Sequence, residues 1–492
     1  MLDRTRSPRA TGLDRRTPLV IDLSLDRIAQ AVGGTLRTEG TDADGATAVG
    51  GPVETDSREV VPGGVFVARR GEQMDGHDFA ARAVEQGAAL LIVERALPLA
   101  VPQVVVADAT AALAALAKAV VAEVRDGGSL QVVGITGSNG KTTTKNLLRE
   151  ILGRVGATTA SRASFNNEVG GPTTMLQVER GTRFLVAEMG ASAVGDIARL
   201  VALAVPDVGV VLKVGMAHAG GFGGVERTAL AKSEMVVDLP ETAVAVLNRD
   251  DPRVAAMADR TAARVAWFGL TADPADGGTT ARDVVADVEG TRFTLVLPGG
   301  EERPVRFRVL GEHHVANAMA AAAAAAALGA PPDAIVAGLE AVTRAERWRM
   351  EVLATSPVTV INDAYNASPD SMAAALKALV QIAPGRTVAV LGAMTELGDQ
   401  AGEEHDRIGL LVNRLNIGQL VVVGAEAKRL HLSASAEGSW NGESAFAETQ
   451  EEAEALLERL IAPGDTVLVK SSNAAGLRHL GDRLGARWAG AE

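Results

Sequence analysis

Leu130-Gln131-Val132-Val133-Gly134-Ile135-Thr136-Gly137-Ser138-Asn139-Gly140-Lys141-Thr142-Thr143-Thr144 decides the fold. An apolar run of strand character ends in a glycine-rich turn. A helical pattern with Leu147, Leu148, Ile151 and Val155 on one face follows. Glycines let successive backbone N–H groups curl around an anion, and a helix N-terminus adds the positive end of its dipole. Gly137, Ser138, Asn139, Gly140, Lys141, Thr142 and Thr143 are therefore candidate phosphate-binding residues. Lys141 is placed to reach β/γ-phosphate oxygens, and the Thr142 hydroxyl to ligate Mg²⁺. The spacing departs from G-x-x-x-x-G-K-[ST], because Ile135 stands at the first glycine position.

Downstream, apolar runs recur at 184–188, 208–214, 243–247 and 265–268, with helical patterns between them. That alternation predicts an α/β sheet with crossover helices. Glu188 ends the first of these runs, where a carboxylate can make a second contact to Mg²⁺. His218 follows the run at 208–214; a lone histidine in such a place is more often structural than a ligand. Lys232 sits early in a helical segment, where a solvated lysine is the ordinary reading. Asn248 and Asp250-Asp251 close the run at 243–247, as a turn or as a nucleotide contact. Runs at 292–297 and 305–309 read as an antiparallel addition, and 315–328 as a long alanine-rich helix ended by Gly329-Ala330-Pro331-Pro332.

The chain is 492 residues, enough for about three domains. Hydrophobic residues make up 47% and charged ones 22%, the balance of a globular protein with ample core. Lys plus Arg minus Asp plus Glu is 48 − 61 = −13, which gives no electrostatic reason to sit on nucleic acid or anionic lipid. An anionic substrate must then be held by local groups. The absence of cysteine excludes disulfides, thiolate metal sites and cysteine nucleophiles, and agrees with a reducing cytoplasm. The run Ala320–Ala327 is too short for a membrane span. Residues 1–18 carry several arginines without a following apolar core and read as a tail, not a secretory signal. A cytoplasmic location is expected.

Three blocks emerge: 19–127, 128–345 and 346–492. The first alternates short apolar runs at 64–68, 89–93 and 103–106 with helical patterns and closes on Asp126-Gly127-Gly128-Ser129. The last alternates strands at 358–362, 387–392, 420–423 and 466–470 with helices near 371–381, 402–414 and 450–460, a small doubly wound pattern. It contains Asp363-Ala364-Tyr365-Asn366-Ala367-Ser368-Pro369-Asp370-Ser371-Met372. That stretch is open to plain helix capping, but it sets the only tyrosine of the chain among polar residues at a sheet edge where ligands bind.

These stretches together resemble the Mur ligase superfamily, from about residue 20 to about 485. In the first block the resemblance rests on Thr55-Asp56-Ser57-Arg58, Pro62-Gly63-Gly64-Val65-Phe66 and Asp75-Gly76-His77-Asp78-Phe79. In the middle it rests on the glycine-rich turn, Asn166-Asn167-Glu168-Val169-Gly170-Gly171-Pro172, Glu188-Met189-Gly190, Ala217-His218, Ala231-Lys232, Asn248-Arg249-Asp250-Asp251 and Gly311-Glu312-His313-His314 with Asn317. Asp363 to Met372, Leu391-Gly392-Ala393-Met394-Thr395-Glu396-Leu397-Gly398 with His405, and Val469-Lys470-Ser471-Ser472 are similar to one member in particular. That member joins D-alanyl-D-alanine to a UDP-N-acetylmuramoyl-tripeptide.

The resemblance implies three α/β domains: an N-terminal UDP-substrate domain, a central P-loop-type ATP-binding domain and a C-terminal Rossmann-like domain. It implies ATP and Mg²⁺ as cofactors, the metal expected as two ions, UDP-N-acetylmuramoyl-tripeptide and D-alanyl-D-alanine as partners without nucleic acid or membrane insertion, and a monomer. It also implies an acyl-phosphate intermediate on the way to the cytoplasmic pentapeptide precursor of peptidoglycan. By the same resemblance Lys141, Glu188, His218, Lys232 and Arg349 are catalytic. Thr142, Glu188, His218 and Lys232 hold metal, and Lys232 is of the kind that can be carbamylated in this superfamily. Asn317 and Asp363 contact adenine and ribose, while Ser57, Arg58, Asn166, Asn167, Tyr365 and Asn366 bind the peptide substrates. Residues 344–349 are the expected hinge. The chain departs from the family in four places: Lys213 and His314 where Asn is frequent, Trp348 where Gly commonly precedes Arg349, and Ser471 where Gly often follows the lysine. A ligase adding the third amino acid and a catalytically silent nucleotide-gated binder are the competing readings. The first usually carries an Asp-Asn-Pro-Arg motif that this chain lacks.

Overall fold

The computed structural model describes residues 22–71, 73–161, 164–215, 224–343, 346–436, 438 and 440–489. They form two compact units, one holding the described residues through Val124 with Leu176–Arg180, the other Arg125–Met175 and the chain from Gly181 onward.

The first unit is built on a five-stranded sheet in the order Thr35–Arg37, Gln103–Val105, Leu90–Val93, Val65–Val67, Val53–Glu54. Only the Thr35–Arg37 pairing is antiparallel. Short, fully apolar strands such as Leu90–Val93 are what a sheet covered on both faces requires. Phe66, Leu91 and Val93 pack with Ala80 and Ala83 of the helix Ala80–Glu85.

In the second unit the middle of the chain forms a wholly parallel six-stranded sheet, ordered Arg264–Phe268, Val244–Asn248, Val208–Val211, Gln131–Thr136, Phe184–Glu188, Thr158–Ala160. The strand order turns back on itself at Gln131–Thr136, so the glycine-rich turn leaves the sheet at the switch point where α/β sheets bind ligands. The helix Lys141–Leu152 follows it and buries Leu147, Leu148, Ile151 and Leu152. The alanine-rich helix Glu312–Ala327 lies in the same core, with Ala318, Ala320, Ala321, Ala322, Ala324 and Ala325 fully buried. Methyl side chains let its backbone approach its neighbours closely, so here the alanines are core.

A three-stranded antiparallel sheet, Thr280–Asp287, Gly290–Val296 and Glu302–Phe307, continues that core through Phe293, Leu295 and Phe307. Its first strand escaped the sequence reading because Arg282, Asp283 and Val285 break the alternation: the register shifts there and Asp283 takes a positive φ of 54°. The last sheet runs Glu351–Ala354, Thr359–Asn362, Thr466–Lys470, Thr387–Leu391, Gln419–Val423, Glu443–Ala447, all parallel except its first strand. The insertion of Thr466–Lys470 between Thr359–Asn362 and Thr387–Leu391 makes a second switch point, at Asp363 and Lys470. Among the described residues no helix is long and apolar enough to cross a membrane.

Candidate functional site

A cavity of about 650 Å³ opens where the carboxyl edges of the two large sheets of the second unit meet. The glycine-rich turn forms its floor. Gly140 takes φ 88°, and a Cβ there would overlap Asn317 Oδ1, so the turn closes only with glycine at this position. The Lys141 ammonium donates to Gly137 O at 2.7 Å. Desolvation lowers its pKa while Glu188 works against that fall. The Ser138 hydroxyl accepts from Gly215 N at 2.9 Å, tying the turn to the segment after Val208–Val211.

Glu188 is buried at the end of its strand, 1% exposed. Its Oε2 accepts from the Thr142 hydroxyl at 3.0 Å and its Oε1 from Asn166 Nδ2 at 2.8 Å. Thr142 and Glu188 thus offer two hard oxygen donors side by side. That suits Mg²⁺, which takes few protein ligands and completes its shell with water and phosphate oxygens. Among the described residues no group of three or more His, Asp or Glu side chains gathers as a metal cage. His218, the third expected ligand, lies outside the described residues.

The C-terminal sheet supplies the other wall. Arg349 stacks over the Tyr365 ring at 4.3 Å and donates to Thr142 Oγ1 at 3.4 Å, and its Nε is buried without a partner. A desolvated guanidinium with an unused donor, facing Lys141 across the cavity, fits an anion such as a phosphate chain. Tyr365 OH and Ser164 Oγ are 2.9 Å apart. Asp363 lines the cavity, yet its Oδ2 accepts from Lys470 at 2.6 Å and its Oδ1 from Met350 N at 3.0 Å. Lys470 also donates to Asn366 O at 3.0 Å. Asp363 therefore fastens the linker that carries Arg349, a role the sequence reading did not foresee.

At the far end, Asn317 Nδ2 donates to His314 Nδ1 at 3.2 Å, while Asn317 Oδ1 accepts from Thr144 Oγ1 at 3.5 Å. The rings of His313 and His314 lie 4.2 Å apart. Burial lowers the His313 pKa to about 4 and that of His314 well below its ordinary value. Both stay neutral at pH 7, which leaves His314 Nδ1 an acceptor.

Of the expected site residues, Ser138 to Thr143, Asn166, Glu188, Asn317, Arg349, Asp363, Tyr365 and Asn366 line this one cavity. Asn167 does not; its Oδ1 accepts from Gly170 N at 2.9 Å and caps the helix Gly170–Met175. Lys232 is buried in the helix Val225–Val237, where desolvation first, and then Lys141, lower its pKa to about 7. Ser57 and Arg58 belong to the first unit, where Asp56 binds Arg58 at 2.6 Å and Asp56 itself is held at a pKa of about 2, chiefly by that bond. Ser164 and Lys470 were missed. Lys470 had a signal, a lysine ending the apolar strand Thr466–Lys470; Ser164 had none.

A glycine-rich turn at the switch point of a parallel sheet, a carboxylate beside it and an arginine from a second sheet line one cavity between two α/β layers, an arrangement suited to an anionic ligand. The chain belongs to the Mur ligase family, whose members are ATP-dependent amide ligases. Residues 52–130 match the Mur ligase family catalytic domain, 135–325 the Mur ligase middle domain and 348–473 the Mur ligase glutamate ligase domain. The chain is 41% identical to the UDP-N-acetylmuramoyl-tripeptide–D-alanyl-D-alanine ligase of Mycobacterium leprae, over 94% of this chain and 98% of that one. It is 34% identical to the ligase of the same name in Escherichia coli, over the same shares. Among solved structures, MurF from Acinetobacter baumannii superposes with a TM-score of 0.85 at 32% identity, covering 95% of this chain and all of that one. MurF from Thermotoga maritima in complex with ADP gives 0.77 at 29%, covering 89% and 98%.

Proposed function

We propose that the chain joins D-alanyl-D-alanine to UDP-N-acetylmuramoyl-tripeptide at the expense of ATP, forming the UDP-muramoyl-pentapeptide used for peptidoglycan. The terminal carboxylate of the tripeptide attacks the γ-phosphorus of ATP, giving an acyl phosphate and ADP. The dipeptide amine then attacks the acyl carbon, loses a proton, and inorganic phosphate leaves as the amide forms. The observation that carries this reading is the convergence of Lys141, the Thr142–Glu188 pair and Arg349 on one cavity, in a chain whose relatives carry that name over nearly their whole length.

Phosphoryl transfer asks for alignment and charge neutralisation more than covalent help. Lys141 and Arg349 supply positive charge from opposite walls. An arriving triphosphate favours the charged form of Lys141 and offsets its desolvation. Thr142 and Glu188 would hold Mg²⁺, with His218 and a carbamylated Lys232 serving a second ion. Bound there, the metal neutralises charge on the phosphate oxygens. Burial of Lys232 favours the neutral amine that carbon dioxide requires. Asn317 and Asp363 would serve the nucleoside, Tyr365 and Asn366 the peptide side and Asn166 the UDP-linked substrate, while Ser57 and Arg58 would bind its UDP moiety on the first unit. Domain boundaries at about 127 and 345, a monomer and a cytoplasmic location complete the reading. Phosphate release measured with each peptide omitted in turn tests it. Release that needs both peptides supports ligation; release indifferent to them contradicts it.

A further inference from the structure

The segment that carries Arg349 is fixed by a residue that makes no contact with the cavity. Trp348 takes φ 59° and Met350 φ 48°, so two side-chain-bearing residues in the left-handed region bracket Arg349. Such a conformation persists where the surroundings hold it. Trp348 N donates to Glu351 Oε2 at 2.8 Å, and Trp348 O accepts from Tyr365 N at 3.1 Å. Its indole Nε1–H donates to Asp482 Oδ1 at 2.9 Å, on the helix Arg478–Ala489. The Arg347 and Arg478 guanidinium groups lie over the indole ring at 4.6 and 5.3 Å. Asp482 also accepts from Arg347 Nη2 and from Asn362 Nδ2, each at 3.1 Å, and Asn362 directly precedes Asp363. One residue earlier the attachment changes side: Glu346 Oε2 accepts from Asn146 of the phosphate-loop helix at 3.2 Å.

We propose that Trp348 is a positioning residue for the ligase reaction, an indole anchor that locks the Arg349 turn to the last helix so that the C-terminal sheet presents Arg349 to the phosphates. This rests on the ligase reading of the cavity. Without the anchor, the turn is no longer tied to the last helix and the Tyr365–Arg349 stack is not held facing Lys141. Ground-state binding of the UDP-linked substrate, whose UDP moiety is assigned elsewhere, should change less than turnover.

The test uses the full chain and four variants: Trp348→Gly, Trp348→Phe, Asp482→Ala and Arg349→Ala, with Trp348→Gly also combined with Arg349→Ala. Trp348→Gly should lower kcat about tenfold or more while KM for the UDP-tripeptide changes less than about twofold. Trp348→Phe keeps the stacking and loses the N–H, and should retain an intermediate kcat, as should Asp482→Ala. In the Arg349→Ala background, Trp348→Gly should cost less than about twofold, because it acts through Arg349. A Trp348→Gly kcat within twofold of wild type, or an equal loss in both backgrounds, overturns the proposal. If Trp348→Gly does not fold, the same comparison with Trp348→Phe decides. A wild-type chain that releases no phosphate with both peptides overturns the ligase reading instead; a turning-over wild type with insensitive Trp348 variants overturns the anchor alone.

Discussion

The Thr142 hydroxyl donates to Glu188 Oε2 at 3.0 Å, joining the first turn of the phosphate-loop helix to the end of the neighbouring parallel strand. Neither residue is near the other in sequence; the sheet register sets Glu188 beside Ile135 and so beside the turn that follows. Glu188→Gln keeps the shape and both neighbours but removes the charge. Activity should fall by at least about tenfold, with partial recovery at raised Mg²⁺. An unchanged Mg²⁺ titration would leave Glu188 a buried structural acid.

Lys141→Ala removes the point charge at the cavity floor and leaves the first unit untouched. Turnover should drop below about a tenth of wild type, a loss above ~1.4 kcal/mol in the transition state. A variant that keeps more than that contradicts the phosphate-loop assignment.

Gly140→Ala tests the turn itself. At φ 88° an alanine is strained, and its methyl would collide with Asn317 Oδ1. The cost is about 1–2 kcal/mol for the backbone, before the displaced Asn317 is counted. ADP affinity measured by calorimetry should fall by at least about tenfold. Wild-type affinity would show that the turn and Asn317 are not jointly placed for nucleotide.

Stability should carry the signature of the buried histidine pair. His313 is depressed from 6.5 to about 4 and His314 well below, both mainly by burial. Through that window the unfolded chain binds protons that the folded chain refuses, so stability rises with pH and is lost as pH falls toward 4. His314→Asn removes one such group. Its melting temperature should fall less than that of wild type between about pH 7 and about pH 5. Parallel curves would mean that His314 does not set the acid side of the profile.

The sequence made the phosphate loop, the flanking strands and the doubly wound ending legible, because each is a local pattern: an apolar run, a glycine turn, a helical face. Phe184–Glu188 and Thr466–Lys470 begin and end where the pattern placed them. Thr280–Asp287 was lost to a bulge that disrupts period-two alternation. The cavity-lining side chains were legible as types at strand ends, but their bonding was not. The pairing of Asp363 with Lys470 joins residues 107 apart, and its rank as a linker clasp depends on strand order, which no local pattern encodes. Trp348 illustrates the same limit: it stands out in sequence, but its partner Asp482 is 134 residues away.

The central chemical step of the proposed reaction is the transfer of a carboxylate oxygen to phosphorus. The most direct measurement supplies UDP-N-acetylmuramoyl-tripeptide with heavy oxygen in its terminal carboxylate, together with ATP and D-alanyl-D-alanine, and reads the released phosphate by mass spectrometry. One labelled oxygen per phosphate, with one pentapeptide formed for each, is the predicted result. Unlabelled phosphate accompanying pentapeptide formation, or phosphate released without the dipeptide being joined, would contradict it.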